Sequence, residues 1–88
     1  MDIIAGTFAK SKSGHDAGQI YVIISCDREY VYLADGKLKL LEKPKKKKIK
    51  HIQTIKYMDP ELGEKFKNSN LLKNEDIKKA IKNYKAGN

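Results

Sequence analysis

The sequence contains one cysteine, one arginine, no tryptophan and no long apolar run, and these scarcities exclude several classes of protein. The lone Cys26 cannot form an internal disulfide, which is the usual support of a small secreted domain. No apolar stretch approaches the roughly 18 residues that cross a bilayer. The opening residues, MDIIAGTFAK, also lack the basic and apolar regions of a secretory signal. The sequence therefore predicts a cytoplasmic protein without a membrane segment.

Residue types that perform catalysis or bind metal ions are also few. His15 and His51 do not lie at metal-ligand spacing from Cys26 or from paired carboxylates, so we expect no metal site. His15 and Asp16 suggest acid–base chemistry, but no nucleophile or glycine-rich phosphate loop accompanies them, and 88 residues leave little room for a deep pocket. We expect neither catalysis nor a cofactor. Asp16 is predicted to bond its own backbone, and Cys26 is predicted to be a buried structural thiol.

The chain does contain enough apolar sequence for one domain. Its 88 residues are 40% hydrophobic and 34% charged, which is typical of a small, strongly charged globular protein. At this length a folded chain buries about 60% of the surface of the unfolded chain, which supports one modest core and not two. We therefore predict a single domain over residues 1–88.

Residues 6–57 have the features of short β-strands separated by turns. In the strongest strand, Ile20, Val22, Ile24 and Cys26 alternate with Tyr21, Ile23 and Ser25, so one face is predicted to be core and the other half-covered. Residues 11–18 form a loop rich in turn formers, and Asp35-Gly36 is a hairpin signal. The predicted strands cover residues 6–10, 19–27, 30–34, 37–41 and 51–57. Five such strands favour a small barrel over about residues 4–57.

The sequence from about residue 59 to residue 86 is helical in character. Asp59 and Pro60 are typical of an N-cap followed by proline at the first helical position, which predicts a helix over about residues 60–67. Asn74 is predicted to cap a last helix, which ends at Gly87. The apolar stripe of that helix consists of Ile77, Ala80, Ile81 and Tyr84. The fold class is therefore mostly β, with one or two C-terminal helices docked on the barrel.

Positive charge is concentrated in one segment. Residues 1–36 carry a net charge of −2, residues 37–56 carry +8, and residues 59–88 carry +2, so the middle segment alone equals the total of +8. Residues 37–56 contain nine lysines and one acid, Glu42. Such clustering is typical of a protein that binds a polyanion. A solvated arm without a partner is the alternative, but Pro44 and the isoleucines at 49, 52 and 55 indicate that the lysines are tethered to the core.

The residues of the first three strands resemble a KOW motif. The pattern S-x-x-G-x-D-x-G-x-x-Y-V-V is present with isoleucine in its last place, and Gly18 is the key glycine. This pattern is similar to the opening barrel of eukaryotic- and archaeal-type large-subunit ribosomal proteins. Residues 42–52 and 74–82 look like the KOW-domain RNA-binding proteins of low-GC bacteria, so the resemblance covers nearly the whole chain. The matching positions are Ser11, Gly14, Asp16, Gly18, Tyr21, Val22 and Ile23.

The resemblance implies an SH3-like barrel that binds structured RNA, ribosomal RNA above all, in association with translation. It implies contacts through residues 11–18 and 43–51. His15 and Ala17 stand where relatives often carry Arg and Lys, which favours the second loop. Since Arg28 is the only arginine, we expect the protein to contact phosphate groups and to recognise the shape of the RNA, rather than to read guanine bases specifically. The predicted RNA-binding residues are Lys10, Lys12, Ser13, His15, Lys37, Lys39, Lys43, Lys45, Lys46, Lys47, Lys48, Lys50, His51 and Lys56, with Tyr30, Tyr32 and Tyr57 as candidate base-stacking rings.

Two other functions remain open at the level of sequence. The chain could be a protein-interaction module that docks on a ribosomal, transcription or translation factor through the barrel face or the helical stripe at Tyr84. It could also bind nucleic acids without preference, with DNA as an equal partner. Substitution of Lys45–Lys48 distinguishes them, since a protein contact through apolar residues would survive the loss of lysine. The free protein is expected to be a monomer.

Overall fold

The computed structural model describes residues 3–68 and 72–87, and it contains a five-stranded antiparallel sheet with two helices after it. The compact fold measures 29 × 27 × 24 Å along its principal axes. No helix within the described ranges is both long and apolar enough to span a bilayer. The elements are β1 (Phe8–Ser11), β2 (Ile20–Cys26), β3 (Tyr30–Ala34), β4 (Lys45–Lys48), β5 (Ile52–Ile55), α1 (Pro60–Lys67) and α2 (Asn74–Ala86).

The strands lie in the order β4-β3-β2-β1-β5, and every pair is antiparallel. The two outer strands, β4 and β5, are joined by a single 3₁₀ turn at Ile49–His51. The strands predicted at residues 19–27 and 30–34 are confirmed as β2 and β3, which pair with each other with an irregularity in register between Ile23 and Ser25. Strands that are consecutive in the sequence are therefore neighbours in the sheet, except that β5 pairs with β1 and not with β4.

Both faces of the sheet are apolar. One face, with Phe8, Val22 and Ala34, packs against the helices. The opposite face forms a second core in which Tyr21 is 4% exposed and Ile23 is fully buried. The prediction that one face of this strand is core and the other only half-covered is therefore wrong, because Val22 and Ile23, on opposite faces, are both fully buried. This double burial makes β2 the centre of the fold.

The helices begin with different hydrogen-bonding patterns. At α1 the Asp59 carboxylate accepts a hydrogen bond from the Leu62 N–H at 3.0 Å, which confirms the predicted N-cap. At α2 the N-cap is Lys73, and its N–H donates to the Asp76 carboxylate at 2.9 Å. The prediction that Asn74 caps α2 is wrong. Its side chain instead accepts from the Leu41 N–H at 2.8 Å and thereby ties the β3–β4 connection to the helix.

The fourth strand does not lie where the sequence pattern puts it. The Asp35 carboxylate accepts hydrogen bonds from the backbone N–H groups of residues 37, 38 and 39 at 2.9 to 3.0 Å, which curls this segment into a loop. Gly36 follows with a φ of +79°, a conformation that side chains rarely tolerate. Residues 37–41 are therefore not a strand. The fourth strand is formed by the lysine run itself, Lys45–Lys48, which pairs with β3.

Candidate functional site

The four lysines of β4 divide into two pairs that point to opposite faces of the sheet. In register, Lys45 and Lys47 lie opposite Leu33 and Val31, which belong to the buried core. Lys46 and Lys48 lie opposite Tyr32 and Tyr30. Residues directly opposite in an antiparallel pair share a face, and successive residues alternate. The lysine run therefore has an inner pair and an outer pair, although all four residues are chemically identical.

The inner pair meets a carboxylate from the β1–β2 loop. Lys47 Nζ lies 2.9 Å from Asp16 Oδ1, and Lys45 Nζ lies 3.0 Å from Asp16 Oδ2. The Ser11 and Tyr21 hydroxyls also donate to Asp16, at 2.9 and 3.0 Å. These five residues form the Asp16 cluster. The Lys47 side chain is 10% exposed and also donates to the Ser13 carbonyl at 2.8 Å, so the cluster fixes the loop of residues 11–18 onto β4.

The Asp16 cluster shifts the titration of its members. Partial burial acts to raise the pKa of the Asp16 carboxyl, but the hydrogen bonds from Lys47, Lys45, Ser11 and Tyr21 outweigh it and hold that pKa well below its ordinary range. Burial, together with the hydrogen bond to Asp16, raises the pKa of the Tyr21 hydroxyl above its ordinary value. Asp16 therefore remains an anion through the physiological range. Its carboxylate binds the side chains of Ser11, Tyr21, Lys45 and Lys47, so the prediction that it bonds its own backbone is wrong.

The outer pair lies beside two tyrosines. The Lys46 ammonium is 4.2 Å from the centroid of the Tyr30 ring, within the range of a cation–π contact. The Tyr32 hydroxyl donates to the Asp27 carboxylate at 3.1 Å, and this bond raises the pKa of the Tyr32 hydroxyl. Lys46 and Lys48 are both exposed. We call Tyr30, Tyr32, Lys46 and Lys48 the β4 outer face, because it presents two cations and two partly exposed rings together.

The other predicted RNA-binding residues vary in their exposure. Tyr57 is 36% exposed, but its ring packs edge-on against Phe8 with centroids 5.4 Å apart and lies 5.3 Å from Tyr84. Ser13, Lys39 and His51 are half-buried. The exposed positions are Lys10, Lys12, His15, Lys37, Lys43, Lys50 and Lys56. Among these, Lys43 and Lys50 flank β4 in the sequence. The base-stacking roles of the tyrosines stay predictions.

Two features of the surface are absent from the expectations drawn from the sequence. Cys26 is exposed, so the prediction of a buried thiol is wrong; it is the last residue of β2, beyond the register irregularity. A groove also runs between α2 and the start of the β3–β4 connection, and Lys78, Lys82 and Lys85 lie along it. Their spacing of four and three residues is a sequence signal that could have identified this helix face.

Comparison of the sequence with protein-family models finds no match, and comparison with curated proteins finds no significant similarity.

Proposed function

We propose that the protein binds structured RNA, ribosomal RNA above all, through lysine–phosphate contacts, and that it acts on or with the ribosome in translation. The β4 outer face is the centre of this interface. The observation that carries the proposal is the division of the β4 lysines: Asp16 forms ion pairs with Lys45 and Lys47, while Lys46 and Lys48 remain exposed. Exposed lysines also protect an edge strand from pairing with other chains, but two tyrosine rings beside them add faces on which bases can stack. A phosphate backbone with adjacent bases complements both groups.

The sheet supports an SH3-like barrel of the KOW type as the scaffold. The outer strands of the sheet, β4 and β5, are joined by only three residues, which favours a sheet curved on itself around the core that contains Tyr21 and Ile23. Gly18, the key glycine of the resemblance, has a φ of +91°, where a side chain would be strained. The loop of residues 11–18 and β4 are joined through the Asp16 cluster. The two loops implied by the resemblance therefore act as one surface.

Lysine rather than arginine sets the mode of recognition. An ammonium group contacts phosphate oxygens as a point charge, without the planar fork that reads guanine edges. The proposed interface therefore selects RNA by shape and by phosphate spacing. Tyr30 or Tyr32 supplies stacking where an unpaired base is within reach.

The experiment that tests the proposal follows the protein in its native cell. The tagged protein is crosslinked, the lysate is separated on a sucrose gradient, and the attached RNA is sequenced. We expect cosedimentation with ribosomal particles and a sharp crosslink in large-subunit ribosomal RNA that is lost in Lys46→Glu/Lys48→Glu. Lys67→Glu, an exposed lysine on α1, is the control. Protein at the top of the gradient with scattered or no RNA would overturn the proposal, and equal recovery of DNA would favour a non-specific binder.

A protein-interaction module is the second candidate, and one observation favours it. Leu38 is 85% exposed on the loop after β3, and its backbone N–H donates to the Asp35 carboxylate at 3.0 Å, so the loop presents a fixed apolar side chain to a partner. If the gradient position depends on this contact, Leu38→Ser will shift the protein to the top of the gradient, and Lys46→Glu/Lys48→Glu will leave it in place.

A further inference from the structure

A second basic surface lies on the helical side of the molecule. It is a groove of about 690 Å³ between α2, the start of β2 and the segment that follows β3. Ile20 and Ile81 give it an apolar floor, and five lysines line it. None of its lysines belongs to residues 43–56, so this surface is separate in sequence from the β4 outer face.

The lysines of the groove are available to a ligand. Within the described parts of the chain, no carboxylate lies at ion-pair distance from Lys37, Lys78, Lys82 or Lys85, whereas Lys79 is paired with Glu61 at 3.4 Å. Lys78, Lys82 and Lys85 follow one another along one side of α2. At 1.5 Å per residue this row extends about 10 Å, which suits an extended polyanion better than a single phosphate group.

The acidic residues of the groove do not cancel this charge. The Asp35 carboxylate already accepts three backbone hydrogen bonds in its own loop. Glu75 is the other acid of the lining, in the first turn of α2, where a carboxylate complements the helix dipole. Two acids against five lysines give the lining a net charge of +3, which becomes +2 when the pairing of Lys79 with Glu61 is included.

Both walls of the groove are held in place before any ligand arrives. Gly36 is buried at a φ of +79°, and a Cβ built there would collide with the Asn74 carbonyl at the start of α2. The Asn74 amide group donates to Glu42 at 2.9 Å and accepts from the Leu41 N–H at 2.8 Å. The connection that carries Lys37 is therefore fixed to the helix that carries the lysine row, and binding requires little ordering of the backbone.

We propose that this groove binds the phosphate backbone of a second stretch of the same RNA. This inference rests on the proposed function and extends it, because it gives the protein two separate cationic contacts. Lys37, Lys78 and Lys82 contact phosphate oxygens, and the Ile20–Ile81 floor receives the less polar face of the sugars. A folded RNA that presents two strands to one small protein fits both surfaces, whereas a short single strand fits one.

The test combines lysine footprinting with matched variants. The full chain is acetylated under limiting reagent, alone and with purified large-subunit ribosomal RNA, and modification of each lysine is measured by mass spectrometry. We expect RNA to protect Lys78 and Lys82 together with Lys46 and Lys48, while Lys67 and Lys73 react at unchanged rates. In Lys78→Gln/Lys82→Gln the affinity should fall at least about 10-fold, whereas Lys67→Gln/Lys73→Gln, with the same loss of charge, should stay within about 3-fold of the wild type.

The outcomes separate this inference from the proposed function. Protection of Lys46 and Lys48 without protection of Lys78 and Lys82 would overturn the groove as an RNA site and leave the proposed function standing. A complete lack of protection would overturn both. Because Lys78 and Lys82 are exposed, the groove variants should keep their thermal unfolding temperature, so a loss of RNA affinity in them is not a folding defect.

Discussion

Replacing Asp16 with asparagine should lower the free energy of unfolding by about 3 kcal/mol at neutral pH, near the lower end for a broken ion pair in a largely buried site. The Asp16 side chain is 12% exposed and neutralises Lys47, which is 10% exposed. An amide keeps the shape of the carboxylate but leaves two ammonium groups without an anion. Urea unfolding followed by circular dichroism measures the effect. Glu61→Gln, which removes an exposed carboxylate paired at 3.4 Å with Lys79, is the control and should cost less than about 1 kcal/mol.

The pH dependence of this difference follows from the direction of the pKa shift. The pKa of Asp16 is lower in the folded protein than in the unfolded chain, so the folded state is stabilised where the unfolded carboxyl is already ionised, above about pH 4. As pH falls below that value the stabilisation is progressively lost. The gap between wild type and Asp16→Asn should therefore be full at pH 7 and smaller at pH 3. A gap that is equal at both values would contradict the assignment of the Asp16 cluster.

The two lysine pairs of β4 should respond in opposite ways to the same substitution. Lys46→Gln/Lys48→Gln should lower RNA affinity by about 100-fold, since each contact to a charged group contributes about 1.5 kcal/mol. The same variant should change the free energy of unfolding by no more than about 1 kcal/mol, through loss of the Tyr30 contact. Lys45→Gln/Lys47→Gln should cost about 3 kcal/mol of stability, because Asp16 then loses both cations, and should reduce the affinity of the folded protein much less.

The comparison is well controlled because each variant removes two lysines, separated by one residue, from the same strand. They have the same net charge and the same composition, and the substituted positions differ by only one residue along the chain. Affinity is measured by filter binding with ribosomal RNA, and stability by urea unfolding. Equal losses of affinity in the two variants, with equal stabilities, would show that the lysines act as an undivided charged run. In that case the segregation of β4 has no functional meaning.

The parts of the fold that the sequence predicts correctly are those in which a local signal decides the outcome. The alternation of Tyr30–Ala34 and the Asp59-Pro60 start of α1 each carry their own hydrophobic or capping information, and both elements begin and end as predicted. Four of the five strands and both C-terminal helices follow from such signals. The closure of the sheet and its SH3-like character remain proposals.

The parts that the sequence does not predict depend on contacts between distant residues. Four consecutive lysines have no period-2 pattern. They form a strand because they pair with β3 and because two of them bind the Asp16 carboxylate. Residues 37–41 look like a strand, but a single carboxylate, Asp35, captures three of their backbone N–H groups. The basic segment could therefore be recognised from the sequence, whereas the division of its lysines between support and exposure could not.

The salt dependence of RNA binding tests the central claim most directly. Purified protein is titrated with large-subunit ribosomal RNA at several salt concentrations, and the logarithm of the association constant is plotted against the logarithm of salt concentration. If about six lysines contact phosphates, the account predicts a slope of about −4 to −5, at roughly −0.7 to −0.9 per contact. A slope near zero, or no measurable binding at low salt, would contradict it, because the lysines then bind no phosphate backbone.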